Sequence, residues 1–272
     1  MAFLYINTYH PLVIKRAGRI ASTALGLPPF VDGSIRREPD LEHPFPSISC
    51  LCRGDRFAPR LAEGDLVIYL ATKRKYYESG TGPAHWRLVA ALRVIDTFQS
   101  HEDAAAWYTE RNLAIPNNCM VKGNLPNPLS HSHRYNRHSH RPEEIWLKNW
   151  DADYMARARF CSRFVACEPL HVDLSWNATV VHESDLIAVF GDVPGTRNPG
   201  KLNLDLFPKL MRQLGLAVRL SDQRTSPNAA RSRRNTADPA PSDMRAARSA
   251  PPRSGCSPSH RRGPKRSRRG GC

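Results

Sequence analysis

The residues whose types could do chemistry together lie between Lys73 and Trp86. Lys73, Arg74 and Lys75 run directly into Tyr76 and Tyr77, and Trp86 follows after a short Gly-containing loop. Cationic side chains neutralise phosphates, and flat rings carry bases at ~1–3 kcal/mol per stacked base. Cations interleaved with aromatics are therefore what a single strand or a flipped-out nucleotide needs. The same residue types also suit an ordinary hairpin loop whose rings lean on the core. Both readings stay open on residue type alone.

Other constellations carry less. Gly195-Thr-Arg-Asn-Pro-Gly-Lys201 has the spacing of a P-loop. However, Leu202 stands where a hydroxyl should reach Mg²⁺, and Pro199 removes one of the N–H groups that would cradle phosphate, so a Gly/Pro turn is expected. His131, His133, His138 and His140 form two His-x-His pairs. They lie in one polar, Arg-rich insert and lack the second anchoring element of a zinc site. Metal binding, an approach to phosphates and a plain solvated insertion all remain readings of that insert.

Asp32, Glu38, Asp40 and Glu42 invite a nuclease reading, but no Lys has an acidic residue two positions before it. Gly-x-Ser-x-Gly and His-Glu-x-x-His are absent, and nothing local pairs Cys119 with a base. Cys50 and Cys52 suit small residues under a sheet. No catalytic residue, cofactor or metal is assigned.

The elements that must position the loop are legible. Gly64-Asp65 is a turn launching Leu66–Thr72, and the apolar run Trp86–Ile95 follows, which predicts two strands joined by the decorated loop. A first strand is expected over Phe3–Thr8 and a helix around Ile14–Ala24. Asp32-Gly33 marks a turn, and Arg36–Pro46, with three prolines, reads as an extended loop of the kind used for binding or as a lid. Ser47–Arg53 alternates like a strand. Ser100-His-Glu-Asp103 opens a helix as a capping box, and Pro142 starts another running to about Arg159. Phe164–Cys167 and Leu186–Phe190 read as strands, and Asp205–Leu214 as a helix stopped by Gly215.

Charge separates the chain in two. Between Arg224 and Cys272 thirteen Lys+Arg face two Asp+Glu, so this stretch supplies most of the net +15. Bulky apolar residues nearly vanish there, and a disordered Arg/Pro-rich tail is expected over 223–272. It reads equally as an arm for nucleic acid or as a functionless extension. Residues 1–222 form the globular part, with the His/Arg-rich insert at 130–141. No apolar run approaches the ~18 residues of a membrane span, and the N-terminus lacks the pattern of an export signal. A cytoplasmic protein with reduced thiols is the expectation.

Cys50-Leu-Cys52-Arg53, then Phe57-Ala-Pro-Arg-Leu-Ala-Glu-Gly-Asp-Leu-Val67, then Leu88–Ile95 and a helix containing Trp107-Tyr108, resembles bacterial nucleotide-modification-associated domains. More broadly it is similar to the PUA-like group that includes EVE, ASCH and YTH domains. The resemblance implies an α+β fold built on a PUA-like, strongly bent β-barrel with flanking helices, and a pocket for a modified or flipped base. Carried onto this chain, the pocket walls are Ser49 to Arg53, Tyr69 and Trp86. The expected partner is DNA or RNA, with Tyr69 and Trp86 stacking, Arg53 reading a base edge, Lys73, Arg74 and Lys75 on phosphates, and Tyr76 and Tyr77 as further rings. A non-catalytic binding module follows, with an enzyme acting on the same base, or a metal-binding structural module, as alternatives.

Overall fold

The computed structural model describes residues 1–51, 54–76, 82–127, 143–196 and 198–217. These contain six strands and five helices. The strands are β1 (Leu4–Tyr9), β2 (Ser47–Ser49), β3 (Leu66–Arg74), β4 (His85–Phe98), β5 (Phe164–Val172) and β6 (Thr179–Val181). The helices are α1 (Arg16–Leu25), α2 (His101–Glu110), α3 (Glu143–Phe160), α4 (Glu183–Phe190) and α5 (Leu206–Gln213), with three short 3-10 turns among them.

The strands make one sheet in the order β1-β3-β4-β5-β2. β1 and β3 are parallel, and the other neighbours are antiparallel. β4 is long enough to serve several partners. Along one edge it pairs with β3, and along the other first with β6 and then with β5.

The fold is mixed α+β, as expected, but the sheet is open, and the expected barrel closure is absent. Its two ends are finished locally instead. Leu4 exchanges both backbone hydrogen bonds with Leu202 on the outer edge of β1, and Asp40 does the same with Ser47 on β2. Each edge is thus met by a neighbouring segment rather than by the other edge.

Near-continuous apolar runs in β1, β3 and β4 predict burial on both faces, and both are buried. Leu4, Ile6, Leu66, Ile68, Leu70 and Leu88 pack under α4 and α5 through Leu186, Phe207, Leu210 and Met211. Tyr5, Tyr9, Val67, Tyr69, Leu92 and Val94 face an irregular layer that supplies Phe30, Leu41, Phe57, Ala58 and Leu61. α2 closes the far end, with Ala104 and Tyr108 against Phe98 and Phe164.

The Gly64-Asp65 turn does more than reverse the chain. The Asp65 carboxylate accepts from the backbone N–H of Ala62 at 2.9 Å and from that of Phe3 at 2.8 Å. It therefore stitches the start of β1 to the start of β3, and Gly64 takes the left-handed φ of 86° that the turn needs.

Arg36–Pro46 is not an exposed binding loop. Arg36 is 1% exposed. Its guanidinium meets Asp151 of α3 at 2.6 Å and donates to the carbonyls of Asn117 and Asn124. Arg37 donates to the Asp32 carbonyl and pairs with Glu42. A buried irregular segment must satisfy its polar groups internally, and these charged side chains do so.

Three further expectations are corrected. Leu186–Phe190 is the body of α4 and not a strand. An apolar run of five is ambiguous by periodicity, and the ends decide it. His182 and Asp185 form a capping box, Glu183 and Asp185 sit in the first turn, and Gly191 caps the C-terminus in the left-handed region. The strand lies earlier, as β6. Of the expected strand Ser47–Arg53, the described residues 47–51 are strand only over Ser47–Ser49, and Cys52 and Arg53 lie outside the described residues. Finally, Cys50 and Cys161 are joined as a disulfide with Cα atoms 5.6 Å apart, where reduced thiols were expected.

The expected helices at α1, α2, α3 and α5 are present, and Ser100 caps α2 by accepting from the Asp103 N–H at 3.0 Å. No helix among the described residues is long and apolar enough to cross a membrane. The tail after 222 and the His/Arg insert lie outside the described residues.

Asp65→Ala leaves two backbone donors without their acceptor. A loss of about 2–4 kcal/mol is expected, read as a lowered urea midpoint at unchanged m-value.

Candidate nucleic-acid interface

The structure separates the residues that the sequence placed on one site. Tyr69 is 2% exposed, its ring edge-on to Tyr9 at 6.0 Å and to Phe57 at 6.5 Å. Trp86 is 8% exposed and belongs to the opposite face of the sheet, with Leu88 and Val181. A register shift separates them: Tyr69 pairs with Ala90 and Leu70 with Leu88, so the alternation of β4 breaks at Val89 and turns Leu88 and Trp86 to the face away from Tyr69.

The three cations divide as well. Register shifts between β3 and β4 fall at Tyr69/Leu70 and again between Ala71 and Arg74. Lys73 turns toward α4, where its ammonium pairs with Glu183 and lies 4.7 Å from the centre of the Trp86 ring. Arg74 and Lys75 are exposed and go the other way. Arg53 and Tyr77 lie outside the described residues.

Arg74, Lys75 and Tyr76 line a shallow depression of about 250 Å³, open solvent included, together with Val13, Ile14, Arg19 and Trp176. Four segments build it. Val13 and Ile14 come from the 3-10 turn before α1, and Arg19 from α1 itself, where its guanidinium donates to the Val13 carbonyl at 3.2 Å. Arg74 to Tyr76 come from the end of β3. Trp176 comes from the turn between β5 and β6, which Asp173 shapes by accepting from the N–H and hydroxyl of Ser175.

The aromatic part is held from below. Tyr76 and Trp176 both sit edge-on to Phe30, with ring centres at 5.3 and 5.4 Å. The buried Arg87 donates to the carbonyls of Trp176 and Ala178 and lies 6.0 Å from the Phe30 ring. The Tyr76 hydroxyl donates to the Thr72 carbonyl at 2.6 Å, and burial pushes its pKa up, so the phenol stays neutral. Burial pushes the neighbouring His85 down, which favours a neutral ring there.

Among the described residues, the lining holds three cations and two aromatic rings and no carboxylate, thiol or imidazole. It is suited to binding an anionic, ring-bearing ligand. Arg19 and Trp176 were not singled out from the sequence. Trp176 had a usable signal in Asp173-x-Ser175, a turn that lifts a Trp out of a strand. Arg19 had none, because its place at the rim depends on how α1 packs.

The other candidate groups have structural partners. Asp32 accepts from the N–H and hydroxyl of Ser34 and from the Glu38 N–H. Glu38 accepts from the Ser49 N–H and hydroxyl and from Asn118 Nδ2. Burial pushes Glu38 up to about 8. Cys119 donates to the His101 carbonyl, while His101 Nδ1 accepts from the Met120 N–H, so thiol and imidazole do not face each other. Burial pushes the thiol up to about 12 and the imidazole down to about 4. A thiol held protonated beside a neutral ring is an inert core cysteine.

In the P-loop-like turn, Lys201 lies 4.5 Å from the centre of the Phe3 ring, and Thr196 hydrogen-bonds Thr8. Among the described residues no group of three His, Cys, Asp or Glu could hold a metal ion.

No protein-family model matches the chain, and neither a curated protein nor a solved structure does.

Burial sets the pH response. Glu38 is raised from 4.5 to about 8 in the folded state, so the fold binds its proton more tightly than the unfolded chain does. Its contribution is complete below about pH 4.5 and is lost as pH rises through about 8. His101, lowered from 6.5 to about 4, contributes above pH 6.5 and is lost as pH falls through about 4. Between pH 6.5 and 9 the Glu38 contribution therefore dominates this pair. Thermal melts should fall by several degrees over that range in the wild type, and Glu38→Gln should flatten the fall. An equal slope in the variant would show that Glu38 is not the group responsible.

Proposed function

We propose that this chain is a non-catalytic nucleic-acid-binding module, related to the PUA-like nucleotide-modification-associated domains, that engages DNA or RNA at the depression around Arg74, Lys75 and Tyr76. The observation that supports this reading is convergence. Three residues singled out by type in the sequence share one concave surface with Arg19 and Trp176, which are distant in the chain. Cations at a rim and rings at a floor are complementary to a phosphate backbone that carries bases. Recognition of a modified or flipped base belongs to the same reading, since an aromatic ring beside cations offers a stacking face to an unpaired base.

Binding of a fluorescent oligonucleotide across a salt series tests it. The chain ending at Ser221, where the compact unit ends, is the form to use, so that the Arg-rich stretch does not contribute. Affinity should fall linearly on log–log axes, and Arg74→Ala with Lys75→Ala should reduce the slope by about 1.4, two single-strand phosphate contacts' worth. Absence of salt-sensitive binding by this form would sink the proposal.

A further inference from the structure

We infer that the depression selects unpaired strands by seating one base on Trp176, with Phe30 and Arg87 as positioning residues. This deepens the nucleic-acid reading and rests on it. Of the rings that the sequence assigned to the site, Tyr69, Tyr76 and Trp86 are all buried. Trp176 is half-buried and lines the depression, so the exposed ring surface there is chiefly its own.

The chemistry of the surroundings fits this assignment. Arg19 approaches from α1, and Arg74 and Lys75 from the end of β3. A strand whose base rests on Trp176 therefore has the exposed Arg74 and Lys75 beside it for its phosphates. In a duplex each base is paired and covered by its neighbours, and a ring recessed within the rim meets no free base face.

Trp176 is also held ready. Its ring is edge-on to Phe30 at 5.4 Å, and Arg87 donates to its carbonyl at 3.2 Å, within a turn fixed by Asp173. Little ordering is left for the moment of binding, which is how a rigid aromatic platform gains affinity. Phe30 does not reach the ligand in this arrangement. It acts by keeping Trp176 in place.

The test compares single-stranded and duplex oligonucleotides of one sequence, at one salt concentration, with the full chain and its Trp176→Ala and Trp176→Phe variants. Any contribution of the Arg-rich stretch cancels between wild type and variant. Trp176→Ala should weaken single-strand binding by about 5- to 150-fold, leave duplex binding unchanged and leave the salt slope unchanged, because no phosphate contact is removed. Trp176→Phe should keep most of the affinity.

A second readout does not depend on the Ala variant folding. Tryptophan emission quenched on adding single strand should be larger in wild type than in Trp176→Phe. Equal quenching in the two, or an unchanged single-strand to duplex affinity ratio in Trp176→Ala, overturns the inference. If binding persists in either case and still responds to Arg74→Ala with Lys75→Ala, the broader reading stands without it. If no salt-sensitive binding occurs at all, both fail together.

Discussion

The structure depends on keeping a charged, irregular segment dry. The stretch from Phe30 to Pro46 covers one face of the sheet without forming a helix or a strand. Most of it, Ile35 to Leu41 in particular, lies away from water, and its buried polar groups must find partners in the protein. Arg36 holds it to α3 and to the segment around Asn117–Asn124, while Asp32 and Glu38 accept from its own turns and from the start of the next segment. The acids that looked like chemistry in the sequence are therefore, with Arg36 and Arg37, the joinery of an irregular layer. Removing one partner from such a network exposes the full desolvation cost of the other, which is why these residues are poor candidates for mobile catalytic duty.

The same economy of partners shapes the surface that is left. Lys73 is committed to Glu183 and Trp86 on one side of the sheet. Arg74 and Lys75, one and two residues on, emerge on the other side beside Arg19. An irregular ladder between Ala71 and Arg74 makes this division possible. A run of three cations is thus not one patch. It contributes one charge to a fold contact and two to a rim.

Much of the scaffold was legible in the sequence because local rules agreed with the tertiary outcome. The β-branched run after Gly64-Asp65 became β3, and the capping residues Ser100 and Gly215 marked helix ends where they were expected. α4 was misread because Leu-Ile-Ala-Val-Phe satisfies both periods, and the deciding signals, Glu183 with Asp185 before it and Gly191 after it, lie outside the apolar run. The expected barrel was carried by resemblance, and no local rule states whether the two ends of a sheet meet. The candidate site was read by residue type, and type does not fix place. Residue type selects Tyr69 and Trp86 as readily as Trp176. Only packing tells which ring is structural and which is presented.

Phe30 touches both aromatic walls of the depression from beneath, at nearly equal distances and angles. The gap between Tyr76 and Trp176 is in consequence set from inside the molecule. Exchanging the charges around the rim changes what is attracted but not the width offered to it. Trimming a single ring in the interior would let both walls settle, altering the aperture with no substitution at the surface. On the nucleic-acid reading proposed above, selectivity would be inherited from the core, and variants sought by scanning exposed positions alone would not reach Phe30.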